Sequence, residues 1–146
     1  MELECAQGLA KEAQINLKIL PLDIFSSLTH NALTSSTVPI ELEADGLPNT
    51  FVPGRNLIFL TTAAIAAYQQ GCRTLVTGVC QTDYSGYPDC RDGFVTSAQK
   101  SISLALDDAF TIETPLMFLT KAQTVKLMQS LNKLHWYGMT HTCYEG

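Results

Sequence analysis

Thr74-Leu75-Val76-Thr77-Gly78-Val79, followed after Cys80-Gln81 by Thr82-Asp83-Tyr84-Ser85-Gly86-Tyr87-Pro88-Asp89-Cys90-Arg91, decides how this chain folds. The first six residues are apolar and β-branched, the composition of a strand buried in a parallel sheet. The next segment concentrates carboxylates, phenols, a thiol and a guanidinium, and bends at Gly86 and Pro88. In open α/β sheets, ligands bind where loops leave the carboxyl ends of strands. A connection that only turned the corner would need about two to six residues and no paired Tyr and Asp. The segment is therefore read as a ligand-contacting loop, with an ordered structural loop as the alternative.

Working outward, residues 2–14 carry apolar positions at helical spacing (Leu3, Ala6, Leu9, Ala10, Ala13), and 17–22 reads as a strand ending near Pro21. Residues 26–50 are rich in Ser, Thr, Asn and Pro, with Asp45-Gly46 and Pro48-Asn49 as turn signals, and are expected to be mobile or ordered by ligand. Pro53-Gly54-Arg55-Asn56 opens a helix over 57–68 that ends at Gly71; being apolar all round, it is expected to be buried between layers. A helix at 94–106, a strand at 111–116 and a last helix starting at Thr120 follow, with Thr120 and Gln123 forming a capping box. The alternation implies a single α/β domain over residues 1–146, a parallel Rossmann-like sheet with covering helices.

The 146 residues are 46% hydrophobic, enough for a real core, with net charge -5. The nine Lys and Arg are scattered singly, so nucleic-acid binding has no electrostatic footprint. No apolar run is long enough for a membrane helix, and the N-terminus lacks signal-peptide regions, so a cytoplasmic protein is expected. The five cysteines contain no Cys-x-x-Cys pair, and no disulfide framework is expected. Cys5 and Cys72 read as small core residues, and His30 and His135 as surface or packing residues.

Three loops are expected to converge on one sheet edge. In 50–56, Arg55 beside a helix start suits an anion, because free backbone N–H groups and the guanidinium act together; a solvated Arg is the alternative. In 82–91, Asp83 and Asp89 suit the amidine-like N–H groups of a base, with Tyr84 or Tyr87 stacking on its ring. The third loop, Thr114-Pro115-Leu116, leads to Lys121, a cation near a helix N-terminus where it opposes the dipole unless an anion binds.

These motifs, with Pro48-Asn49-Thr50-Phe51-Val52 ahead of them and Thr142-Cys143-Tyr144 near the end, resemble the 7-cyano-7-deazaguanine synthase family of queuosine biosynthesis over almost the whole chain. The resemblance implies an adenine nucleotide alpha hydrolase-like fold, incomplete here. It implies an ATP-dependent ligase, with Mg²⁺, that converts 7-carboxy-7-deazaguanine and ammonia to the nitrile. The carboxylate is adenylated, ammonia gives the amide, and a second ATP drives dehydration. Substrate binding falls to Arg55, Asn56, Asp83, Tyr84, Ser85, Tyr87, Asp89 and Arg91, nucleotide binding to Lys121, and zinc to Cys143. No residue is assigned as catalytic. A homodimer is kept among the expected partners, with no nucleic acid and no membrane.

The departures are specific. The family's Ser-Gly-Gly-x-Asp-Ser type phosphate loop has no counterpart, since the chain holds no Gly-Gly pair. Of the family's four-cysteine zinc site only Cys143 is present, and a structural zinc needs four ligands. Gln123 stands where the family usually has Glu. The chain is therefore expected to be the middle of the enzyme, and a non-catalytic product is the alternative to the ligase.

Overall fold

The computed structural model describes residues 2–25, 49–82 and 86–141, which divide into two compact units. Phe25 to Thr120 form one; residues up to Ile24 and from Lys121 onward form the other.

Among the described residues the larger unit is a βαβ arrangement preceded by a helix. Helix α2 (Arg55–Tyr68) leads to β1 (Thr74–Val76); α3 (Asp92–Leu106) then carries the chain to β2 (Thr111–Glu113). The strands pair in parallel, Thr74 with Thr111, Leu75 with Ile112 and Val76 with Glu113, the parallel sheet that the alternation of elements implies. Beyond the ladder the two strand exits stay side by side: Gln81 N–H donates to Met117 O at 2.9 Å, and Thr82 Oγ1 to Leu119 O at 2.6 Å. The loop that follows β1 is thus anchored against the segment leaving β2.

One face of this small sheet is covered. Leu60 and Ala64 of α2 and Val95, Ala98 and Ile102 of α3 recur at helical spacing and meet Phe110, Ile112 and Met117 in the core. Burying each larger side chain contributes about 1.5–3 kcal/mol. Polar side chains of α3 serve the backbone entering β2: Gln99 Oε1 accepts Ile112 N–H at 2.7 Å and Ser103 Oγ accepts Phe110 N–H at 3.1 Å.

Several expectations change here. The strand over 74–79 shortens to Thr74–Val76, and Val76 is 71% exposed, because among the described residues β1 has one ladder partner and one covered face. The strand over 111–116 likewise ends at Glu113. Helix α2 is not buried all round: only Leu60 and Ala64 are, while Leu57, Phe59 and Ile65 remain exposed. Cys72 is exposed rather than in the core, and Cys5 is half-buried.

In the smaller unit, α1 (Glu2–Glu12) meets a 3-10 turn at Leu134–Met139, and α4 (Lys121–Ser130) starts directly after Thr120, where the capping box places it. His135 is exposed and lies 3.9 Å from Glu12, with its ring edge-on to Trp136. The expected strand at 17–22 does not form: Leu17, Ile19 and Leu20 are exposed, and no ladder runs beside them among the described residues. A strand is stable only when its backbone groups find partners, and this stretch has no ladder partner among the described residues.

Candidate functional site

Two sequence motifs 30 residues apart meet in the larger unit, and the contact is built from polar groups. Residues 49–52 enter it with Thr50 and Val52 buried. Arg55 N–H donates to Val52 O at 3.1 Å, closing a turn through Gly54. Gly54 takes φ 73°, left-handed backbone that favours glycine, and a Cβ there would meet nothing within 4 Å. Conformation rather than space calls for glycine at this position.

A glycine at the start of α2 supplies no side-chain acceptor for the free N–H groups of the first turn. The acceptor comes instead from Asp89, whose Oδ2 receives Asn56 N–H at 3.0 Å. A carboxylate at a helix N-terminus gains both the hydrogen bond and the dipole interaction. Asp89 is 6% exposed, so the helix start is what compensates a buried charge. It stands in the 3-10 turn Pro88–Cys90, begun by Pro88, and the next residue of that turn offers its Cys90 Sγ to Asn56 Nδ2 at 3.4 Å.

Tyr87 makes the third tie. Its hydroxyl lies 2.5 Å from Thr50 Oγ1, with both residues buried, and its ring packs against Phe51 at 5.5 Å between centroids. The turns at 50–56 and 87–90 therefore form one frame.

The other expected site residues fall around this frame or outside it. Arg55 is half-buried, and among the described residues its guanidinium has no hydrogen-bond or ion-pair partner. Arg91 is exposed, and its Nη2 donates to Gly86 O at 3.3 Å, holding the returning limb of its own loop. Gln81 Oε1 accepts Asp92 N–H at 3.1 Å and so serves the start of α3. Asp83, Tyr84, Ser85 and Cys143 lie outside the described residues. Lys121 belongs to the smaller unit, exposed in the first turn of α4. Among the described residues no group of three or more His, Cys, Asp and Glu gathers to hold a metal, so the donors described do not make a zinc site.

The sequence reading assigned no role to Thr50 or Gln81. Thr50 stood within a quoted motif, and the signal available was a hydroxyl residue ahead of a helix start together with a tyrosine-bearing loop needing partners.

The family model described as queuosine biosynthesis protein QueC matches residues 1–146. The chain belongs to the QueC family. Three relatives, each called 7-cyano-7-deazaguanine synthase, align over nearly all of this QueC-family chain. The one from Chromobacterium violaceum is 48% identical over 149 residues, covering 100% of this chain and 64% of its own length. The relative from Staphylococcus haemolyticus is 49% identical over 99% of this chain and 66% of its own length. That from Bacillus subtilis is 47% identical over 99% of the chain and 67% of its own length. The QueC-family chain thus spans about two thirds of these relatives, and the resemblance read from its motifs holds.

Proposed function

We propose that this chain carries the deazapurine-binding part of a 7-cyano-7-deazaguanine synthase. The observation that supports the reading most is near-50% identity, across the whole chain, to relatives bearing that name. The reaction is the ATP-dependent conversion of 7-carboxy-7-deazaguanine and ammonia to the nitrile, with Mg²⁺ accompanying ATP, in the cytoplasm and in a homodimer. Arg55 meets the substrate carboxylate as a fork, a geometry in which a guanidinium exceeds an ammonium. Asn56 and Arg91 contact the same substrate, as do Asp83, Tyr84 and Ser85, and Tyr87 and Asp89 belong to the frame that holds this site. Lys121 serves the nucleotide phosphates. Cys143 would contribute one of the four thiolates of the family's zinc site.

Adenylyl transfer depends on positioning the triphosphate, and this sequence has no Gly-Gly phosphate loop to do it. The chain is therefore expected to bind substrate without releasing pyrophosphate from ATP. Calorimetric titration with 7-carboxy-7-deazaguanine tests the reading. Saturable binding that guanine does not reproduce, and that Arg55→Ala abolishes, supports it; heats indistinguishable from dilution, or equal binding of guanine, refute it.

A further inference from the structure

We propose that Tyr87 and Asp89 are positioning residues, which hold the turn at 53–56 so that the Arg55 guanidinium meets the ligand, and do not themselves touch it. This rests on the substrate reading above and assigns roles within that site.

The Tyr87 hydroxyl and one carboxylate oxygen of Asp89 already have partners in the chain. The Tyr87 hydroxyl shares a hydrogen bond with Thr50, 2% exposed, and its ring lies on Phe51. Asp89 Oδ2 takes the Asn56 amide, 33 residues away in sequence. Turning the Tyr87 hydroxyl would break a buried bond and turning Asp89 Oδ2 a part-buried one, leaving Thr50 Oγ1 or Asn56 N–H without its partner, a cost close to what a new contact would return. Arg55 is the opposite case. It follows the left-handed Gly54, precedes the gripped Asn56, and its guanidinium has no partner among the described residues. The position of a free cation on a glycine turn is set by what holds that turn, and here the hold comes from the second loop. A single N–H needs one acceptor oxygen, which an amide supplies as well as a carboxylate. Asparagine at 89 should therefore keep the function and alanine should not.

The test compares Asp89→Ala, Asp89→Asn and Tyr87→Phe by amide hydrogen exchange at Asn56 in the unliganded chain and by calorimetric titration with 7-carboxy-7-deazaguanine. Asp89→Ala is expected to speed exchange at Asn56 by on the order of tenfold and weaken affinity by a similar factor, whereas Asp89→Asn stays within about threefold on both. Adding Arg55→Ala to Asp89→Ala should weaken affinity far less than Arg55→Ala does alone, because the two act through one contact. Tyr87→Phe should weaken affinity while leaving the Asn56 amide protected.

Unchanged exchange at Asn56 in Asp89→Ala would overturn the proposal. So would Asp89→Asn losing affinity as completely as Asp89→Ala while Asn56 stays protected, which would put the carboxylate itself on the ligand. Should Asp89→Ala not fold, a loss of about tenfold or more in Asp89→Asn while Asn56 stays protected overturns the proposal, and affinity within about threefold supports it. If the parent chain binds no 7-carboxy-7-deazaguanine, the substrate reading fails and the ligand half of this proposal falls with it; the exchange series still decides whether Asp89 holds the turn.

Discussion

Residues 50–56 with 87–90 and residues 17–22 both carry strong sequence signals, yet only the first pair is held by partners of its own among the described residues. The two polar turns contain hydroxyl, amide, carboxylate and phenol groups in the right places to satisfy one another, and they do so through three side-chain ties. Residues 17–22 read as a strand, yet Leu17, Ile19 and Leu20 are exposed and no ladder runs beside them among the described residues. A polar motif can contain its own partners, whereas a strand pattern states only what the segment would do beside another strand. The two regions belong to different units and make separate tests.

The largest effect should come from the core beneath the frame. Phe110→Ala removes a ring that is 3% exposed and should cost about 3–5 kcal/mol in urea unfolding, with the larger unit melting first. A loss under about 1 kcal/mol would mean that the sheet and helices do not pack as described. Next in size is Thr50→Val, which removes the partner of a buried phenol and should destabilise by about 1–3 kcal/mol. Thermal melts of Thr50→Val, Tyr87→Phe and the double variant should be non-additive; additive losses would separate the two groups.

Smaller effects bound the comparison from the other side. Gln14 has φ 55° at the end of α1, left-handed backbone that costs a side chain about 1 kcal/mol, so Gln14→Gly should raise stability by roughly that amount. A lower melting temperature would contradict the helix end. Ile19→Ser should change stability by no more than about 0.5 kcal/mol, because the side chain is already exposed. A loss above about 2 kcal/mol would show that 17–22 is buried after all, and the contrast would dissolve.

The order of helices and strands was legible because periodicity reports which face of a segment is apolar. Val95, Ala98 and Ile102 show it, and α3 begins two residues before the expected Phe94. Extent and burial were not legible. Leu57 and Phe59 read as core, but burial needs a covering layer that no residue type reveals. Helix ends were half legible. Among the described residues, α1 to α4 each close with a left-handed residue and a backbone bond spanning five residues, such as Cys72 N–H to Ala67 O at 2.9 Å and Asp108 N–H to Ser103 O at 3.1 Å. Only Gly71 announced itself; Gln14, Asp107 and Asn132 take the same conformation without the usual residue.

At the site, the polar residue types of the two turns were legible, but the ties between them were not. Sequence reading gave Asp89 to a base, as an acidic group in a polar loop suggests. The part-buried bond to Asn56 depends on how α2 begins, and nothing local to residues 82–91 encodes that.

The most direct measurement is a titration of the labelled chain with 7-carboxy-7-deazaguanine, followed by amide chemical shifts. The account predicts shifts concentrated at Arg55, Asn56 and Arg91 and in residues 83–85, weaker at Asp89 itself, and none with guanine at the same concentration. Shifts confined to other surfaces, or none at saturating ligand, would contradict it.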